Sequence, residues 1–377
     1  MLSKRCLSIS TIVFAIFAQV SAFAQTNQFL GAQSCASSSC HGGADAKSNQ
    51  NLIWSQHDPH AKSFATLITA RSERIAESLN ITNAAKSPRC TICHAPFAIV
   101  PVELAATVLD PAEGVSCESC HGMAKSWLRS HTREDLSHDE KVATGMRDVR
   151  NLYNRANACV ACHQNVDTDL LAAGHPELIF ELDGQSVSEP KHWQEQTNWF
   201  GGQAWLVGQL VAAREINWSL AKTKNDRQQE RADGINWLIQ QTYEPLQSHL
   251  RSFDGSMLNS ANQNYYQVLD GVARGAAQLK WEEKMTRDCL IRLANTSREF
   301  KDAKVGQPIQ ARRAERLVLA LDRLLNSAKW KNKPADVALN RLFKLAQSLP
   351  DFDSTQFASA LDDFAKLISP ETKPQPR

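Results

Sequence analysis

The chain has little excess charge of either sign. Its 42 Lys and Arg stand against 40 Asp and Glu, a net of +2. That balance excludes the basic stripe of a nucleic-acid binder. Strand-type alternation is scarce, which excludes a β-sandwich or barrel. Aromatic residues make up only 7% of the sequence. Beyond the first two dozen residues no apolar run is long enough to cross a bilayer. What remains is a polar, loop-rich and helix-rich chain with ten cysteines.

The first 24 residues read as a signal peptide. Lys4 and Arg5 form a basic start, an apolar stretch runs from about Ile9 to Val20, and Ala22-Phe23-Ala24 is a small-x-small cleavage pattern. Cys6 would leave with it, and no lipid-attachment box surrounds it. The expected mature chain, from about Gln25, is exported to a periplasm and carries no membrane span. Its charge is split unevenly: residues 25–195 hold 14 Lys and Arg against 20 Asp and Glu, a net of −6, and residues 196–377 hold 26 against 20, a net of +6. Its length suggests two domains, at 25–195 and 196–370, with a disordered tail at 371–377.

Eight of the nine remaining cysteines form pairs: Cys35/Cys40, Cys90/Cys93, Cys117/Cys120 and Cys159/Cys162. The residue after each pair is a histidine, namely His41, His94, His121 and His163. Disulfides would account for the pairs but not for the histidines. The sequence has 11 His in 377 residues, so four in this register by chance has odds of about one in a million. Zinc would find Cys-Cys-His in one short loop awkward for tetrahedral closure. Covalent haem c accounts for every element: two thiols add to the porphyrin vinyl groups, and the adjacent His lies under the iron. The first motif, "CASSSCH", has four spacers where the others have two. It keeps the Cys40-His41 adjacency, and Ala36 to Ser39 are small and polar enough to bulge outward. Four haems are therefore expected, with porphyrins in place of an ordinary core. Cys289 stands alone in a helical segment and reads as a small core residue.

Each iron needs a sixth ligand or has an open face. In "HDPHAKSFATL" Asp58 caps a helical turn, Pro59 suits its first position, and His60 shares a face with Phe64 and Leu67. His131 is four residues after Trp127, one helical turn on. Gly174 ends a helix and Pro176 holds His175 extended, before the apolar Leu178, Ile179 and Phe180. His60, His131 and His175 are thus the favoured ligands. His57, His138 in the charged run "REDLSHDE", and His192 in "PKHWQEQ" remain weaker candidates. His249 falls in the helical half. Met123 is too close to His121 to reach that residue's iron from the other side, and Met146 lies in a polar stretch.

The stretches "FLGAQSCASSSCHG", "HAKSFATL", "GVSCESCHG", "CVACHQ" and "AAGHPELIFEL" resemble the multihaem cytochromes of the cytochrome c-554 family, over residues 29–195. The resemblance implies a tetrahaem carrier that accepts electrons from hydroxylamine oxidoreductase, with three bis-histidine haems and one open. Carried over in motif order, it implies His175 for the haem of His41, His60 for that of His121, and His131 for that of His163. It leaves the haem of His94 open.

The second half has no such motif and shows helical periods. Phe357, Leu361, Phe364 and Ile368 recur at helical spacing, as do Leu317, Leu321 and Leu324. Asp254-Gly255, Lys333-Pro334 and Leu349-Pro350 punctuate the helices. The expected fold class is mainly α: a haem-cored tetrahaem cytochrome domain with little regular structure beyond helices, followed by an all-helical bundle. The expected function is electron transfer between a periplasmic oxidoreductase and another carrier. Redox partner proteins are implied, either a multihaem oxidoreductase or a small basic carrier drawn to an acidic haem face. Arg89, Arg147, Arg150 and Arg155 are candidates to offset haem carboxylates. The rival expectation is an enzyme that converts a small nitrogen or sulfur species at an open iron. No distal acid–base set beside "CTICHAPFAIV" supports it.

Overall fold

The computed structural model describes residues 27–193, 195, 200–250, 264–330, 332–347 and 351–368. The signal peptide, the breaks at 254–255 and 349–350 and the tail lie outside the described residues. Within them the fold is mainly α. One isolated parallel bridge, Phe29 to Ala105, is the only β pairing among the described residues.

The first part is built from short helices joined by turns. They are α1 (Gln50–His57), α2 (Ser63–Thr66), α3 (Ala70–Ser78), α4 (Pro88–His94), α5 (Cys117–His121), α6 (His138–Ala143), α7 (Leu152–His163), α8 (Thr168–Ala172) and α9 (Leu182–Ser188). Caps explain several starts. Asn151 accepts from the amides of Tyr153 and Asn154 at the head of α7, and Ser137 with Glu140 forms a capping box on α6. Apart from side chains shared with the second part, the buried apolar cluster here is small: Leu67, Ala76 and Ala84, with Phe64, Ile81 and Cys90 against them. Large apolar side chains stay exposed, among them Ile68, Ile92, Ile99, Val102 and Val108. A part this thin in core cannot bury enough apolar surface to order itself unaided.

The second part is a bundle of long helices: α10 (Gly201–Lys222), α11 (Asp226–Leu246), α12 (Tyr265–Gln278), α13 (Glu283–Ala294), α14 (Gln307–Ser327), α15 (Lys333–Ala346) and α16 (Ser354–Leu367). Helix α10 is central. It packs on α7, α9, α11, α12 and α14, and every residue from Ala204 to Ala213 is buried, as expected for a helix covered on all sides. Trp205, Trp237, Trp281, Phe300, Phe357 and Phe364 fill the core, and Cys289 is one of its small apolar members. The cluster does not stop at residue 195. Leu152, Ala156 and Val160 of α7, with Phe180 and Leu182, belong to the same core. The helix that carries the fourth cysteine motif is therefore also a wall of the bundle.

Candidate metal centres

Three of the four motifs end a helix on their histidine: α4 on His94, α5 on His121 and α7 on His163. In a helix, residues three apart share a face, so each cysteine pair presents both thiols to one side with the histidine next in line. The first motif is not helical. Cys40 N–H and Gly42 N–H both donate to the Ser37 carbonyl, and His41 N–H donates to the Cys35 carbonyl. The extra residues turn outward, with Ser37, Ser38 and Ser39 exposed. All nine cysteines of the described residues are free thiols, so Cys35 and Cys40 are not a disulfide. Cys35 neighbours Cys117, and Cys93 neighbours Cys162. Motif one is thus set against motif three, and motif two against motif four. Burial pushes the Cys120 thiol up to about 11.

The histidines face one another across these motifs. Ring centres are 6.1 Å apart for His41 and His131, 6.0 Å for His60 and His163, and 6.4 Å for His94 and His175. Each pair joins one motif histidine to one histidine from elsewhere in the chain. A metal ion held between two imidazole nitrogens at about 2 Å each sets the ring centres about 6 Å apart. The other ring nitrogen is occupied in all six. Nδ1 lies 2.9 Å from Gln50 Oε1 in His41, 3.3 Å from the Trp127 carbonyl in His131, 3.0 Å from Asp58 Oδ1 in His60, 2.9 Å from Thr66 Oγ1 in His94 and 2.9 Å from the Pro176 carbonyl in His175. His163 Nδ1 lies 3.1 Å from Gln185 Nε2, while Gln185 Oε1 is buried without a partner. Turning that amide over lets Oε1 accept from Nδ1–H. With Nδ1 held in this way, Nε2 is left to bind a metal, the usual outer-shell arrangement of ligating histidine. The paired histidines, the free thiols beside them and the uncovered apolar side chains all fit haem c.

The pairing differs from the one implied by motif order. His131 lies beside His41 rather than His163, His60 beside His163 rather than His121, and His175 beside His94 rather than His41. His94 is accordingly not the histidine that lacks a facing ring; among the motif histidines that is His121. Burial, and after it the field of His192, lowers His121 to about 4. His57 is exposed at the end of α1. His138 is not a solvated surface residue: its Nε2 is 3.0 Å from Asp148 Oδ1.

Sequence reasoning missed the supports. Asp58 is buried and holds both the amide and the ring of His60, at 2.8 and 3.0 Å. Asp58 lifts the proton affinity of His60 above its usual range. Gly114 adopts a positive φ of 65° under the His60 turn, and a β-carbon there would lie 2.5 Å from the His60 carbonyl oxygen. Glu118, inside the third motif, is buried and accepts from the amides of Leu30, Gly31 and Ala124, which ties the start of the described chain to α5. Its position between the two cysteines was the available signal, because a buried acid there needs several donors.

Residues 34–122 match the family described as cytochrome c554 and c-prime. No curated protein and no solved structure matches the chain. The family resemblance is thus shown over a stretch that holds the first three motifs. It supports a c-type cytochrome part, with covalent haem c and an electron-carrier role. No helix among the described residues is long and apolar enough to cross a membrane.

Proposed function

We propose that the chain is an exported tetrahaem c-type cytochrome that passes electrons between a periplasmic oxidoreductase and a second carrier. The observation that carries this reading is the facing of three motif histidines by three others at 6.0 to 6.4 Å. Haem supplies one-electron chemistry at iron, and the protein sets each potential through axial ligands, hydrogen bonds and burial. The cysteine pairs would fix the porphyrins, with His41, His94, His121 and His163 as proximal ligands. His131, His175 and His60 would be the distal ligands of the first, second and fourth centres. Contact of Cys35 with Cys117 and of Cys93 with Cys162 would bring the centres close in two couples, as rapid electron exchange requires. The residues 25–195 would form the cytochrome domain and 196–370 the helical one, with α7 and the stretch 177–183 as the joint.

The test is the mass of the intact protein made with the haem-attachment machinery. Four covalent additions are expected. Three would leave "CASSSCH" without a haem. A second arm separates carrier from enzyme: the reduced protein should be reoxidised by a redox mediator, and should not turn over hydroxylamine, nitrite, nitric oxide or sulfite.

A further inference from the structure

Two buried acids at the head of α9 are poorly compensated. Glu181 and Asp183 are each 7% exposed. Glu181 is 3.9 Å from Arg316, beyond hydrogen-bond reach, and its Oε2 has no partner. Asp183 is 4.0 Å from Arg323, with Oδ1 unpartnered. Gln209 of α10, beside Glu181, has both side-chain amide atoms unpartnered as well. Glu177 is the contrast: Arg227 at 2.7 Å and Arg231 of α11 at 3.1 Å hold it ionised. The charges that face the two acids are Arg316, Arg323 and Asp322 of α14. A β-carbon at Gly208 would lie 2.8 Å from that of Leu182, so the chain between the acids is already pressed onto α10. One turn after Glu181 comes Gln185. Its amide donates to the Glu181 carbonyl at 2.9 Å, and its side chain meets His163 Nδ1 at 3.1 Å. Burial pushes the Glu181 carboxyl up to about 7. An acid buried at such cost, one turn from the support of a ligating histidine, can change its charge where the well-paired Glu177 cannot.

We propose that Glu181 is a redox-linked proton site for the centre held by His163, taking up a proton when that centre is reduced and releasing it on oxidation. This rests on the four-haem reading above. The basis is charge: a carboxylate at this place favours the oxidised, more positive iron, and the neutral acid favours the reduced one. One electron from a redox partner enters the centre, and one proton from water binds Glu181 Oε2. Both leave in the reverse step, and no covalent bond other than O–H changes. Asp183 is the way in, since its neighbour Arg323 is partly exposed and meets Asp322 at 3.7 Å at the rim of the joint. The helical bundle thereby takes part in electron transfer, because Gln209, Arg316 and Arg323 form the surroundings of the acid.

The mass of the peptide that holds Cys159 and Cys162 comes first. Without haem there, the four-haem reading fails and this inference fails with it. With haem present, the haem-loaded protein is titrated spectroelectrochemically from about pH 5 to about pH 8. One haem should lose potential as pH rises, by about 60 mV in all, a tenfold change for one electron. In Glu181→Gln, which imitates the neutral acid, that haem should keep its low-pH potential throughout. Infrared difference spectra should show a protonated-carboxyl band on reduction of the wild type, and the variant should lack it. Glu189→Gln, at the acid 3.8 Å from His60 Nδ1, should keep the pH dependence. A pH dependence that Glu181→Gln retains, or that Glu189→Gln abolishes, would overturn the assignment. So would a wild type with four pH-independent potentials or no carboxyl band, a result that needs no variant to fold.

Discussion

Among the six histidines that face one another, His60 alone has its Nδ1 on a carboxylate. The other five meet an amide, a hydroxyl or a carbonyl. A carboxylate partner pulls the Nδ1 proton toward itself and makes the ring a stronger donor at Nε2, which stabilises the oxidised iron. Glu189 adds a second acid 3.8 Å from the same nitrogen. On the proposed four-haem reading, the haem of Cys159 and Cys162, whose His163 faces His60, should therefore have the lowest potential of the four. Asp58→Asn tests this without removing the turn, since asparagine still accepts from the His60 amide and still caps. The expected result is a rise of about 60 mV, a tenfold change for one electron, confined to one haem in a spectroelectrochemical titration. An unchanged set of four potentials would show that Asp58 only positions the ring.

At the scale of elements, the contrast is between three helical motifs and one turn. A helix fixes both thiols by its own period, so either cysteine of α4, α5 or α7 is held in register by the backbone. In the first motif the register comes from the Ser37 carbonyl and from Cys40-His41 adjacency alone. Cys35→Ser should therefore keep the haem of this motif, bound through a single thioether at Cys40, with intact mass still showing four additions and the α-band shifted. Loss of that haem would mean that Cys35 is the anchor and the turn is not self-sufficient. The same contrast explains what was legible in the sequence. Cysteine spacing, the cap at Asp58 and the turns at Trp127 to His131 and Gly174 to Pro176 are local, and they mark which histidines face the motifs. Which motif each one faces is not local. The pairing of His41 with His131 needs the start of the chain to close on the third motif, and there the bridge of Phe29 to Ala105 and Glu118, which binds Leu30 and Gly31 to α5, hold it. Nothing in the spacing of the motifs encodes that closure. The dual role of α7 was hidden for a related reason. Leu152, Ala156 and Val160 have helical spacing, but "CVACH" draws attention to the opposite face.

In the whole molecule, the opposite charges of the two halves meet inside the joint. Glu177 is shared by Arg227 at 2.7 Å, Arg231 at 3.1 Å and Arg312 at 3.1 Å. Burial would raise its carboxyl, but Arg231, Arg312 and Arg227 hold it below the usual range. Part of the −6 and +6 is thus consumed between the halves, which leaves a partner less acidic surface than the sequence count implies. Four residues on, Glu181 is buried, 3.9 Å from Arg316, with its Oε2 unpartnered. Burial dominates there and pushes its carboxyl up to about 7, while Asp183 beside Arg323 is raised to about 6. A carboxyl whose folded pKa lies above its unfolded value favours the folded state while protonated. Its contribution is complete below about pH 4.5 and is lost as pH rises through 7. For Glu181 the loss is about 3 kcal/mol. Wild type and Glu181→Gln should be nearly equally stable at pH 4, where the carboxyl is largely neutral in both the folded and the unfolded chain. At pH 8 the glutamine variant should be the more stable by up to that amount, with the difference growing between about pH 4.5 and 7. Paired thermal melts of the haem-loaded proteins across that range check it. A variant that is less stable at pH 8 would show instead that the ionised Glu181 and Arg316 attract strongly enough to offset their burial, and that the joint is held by this pair as it is by Glu177.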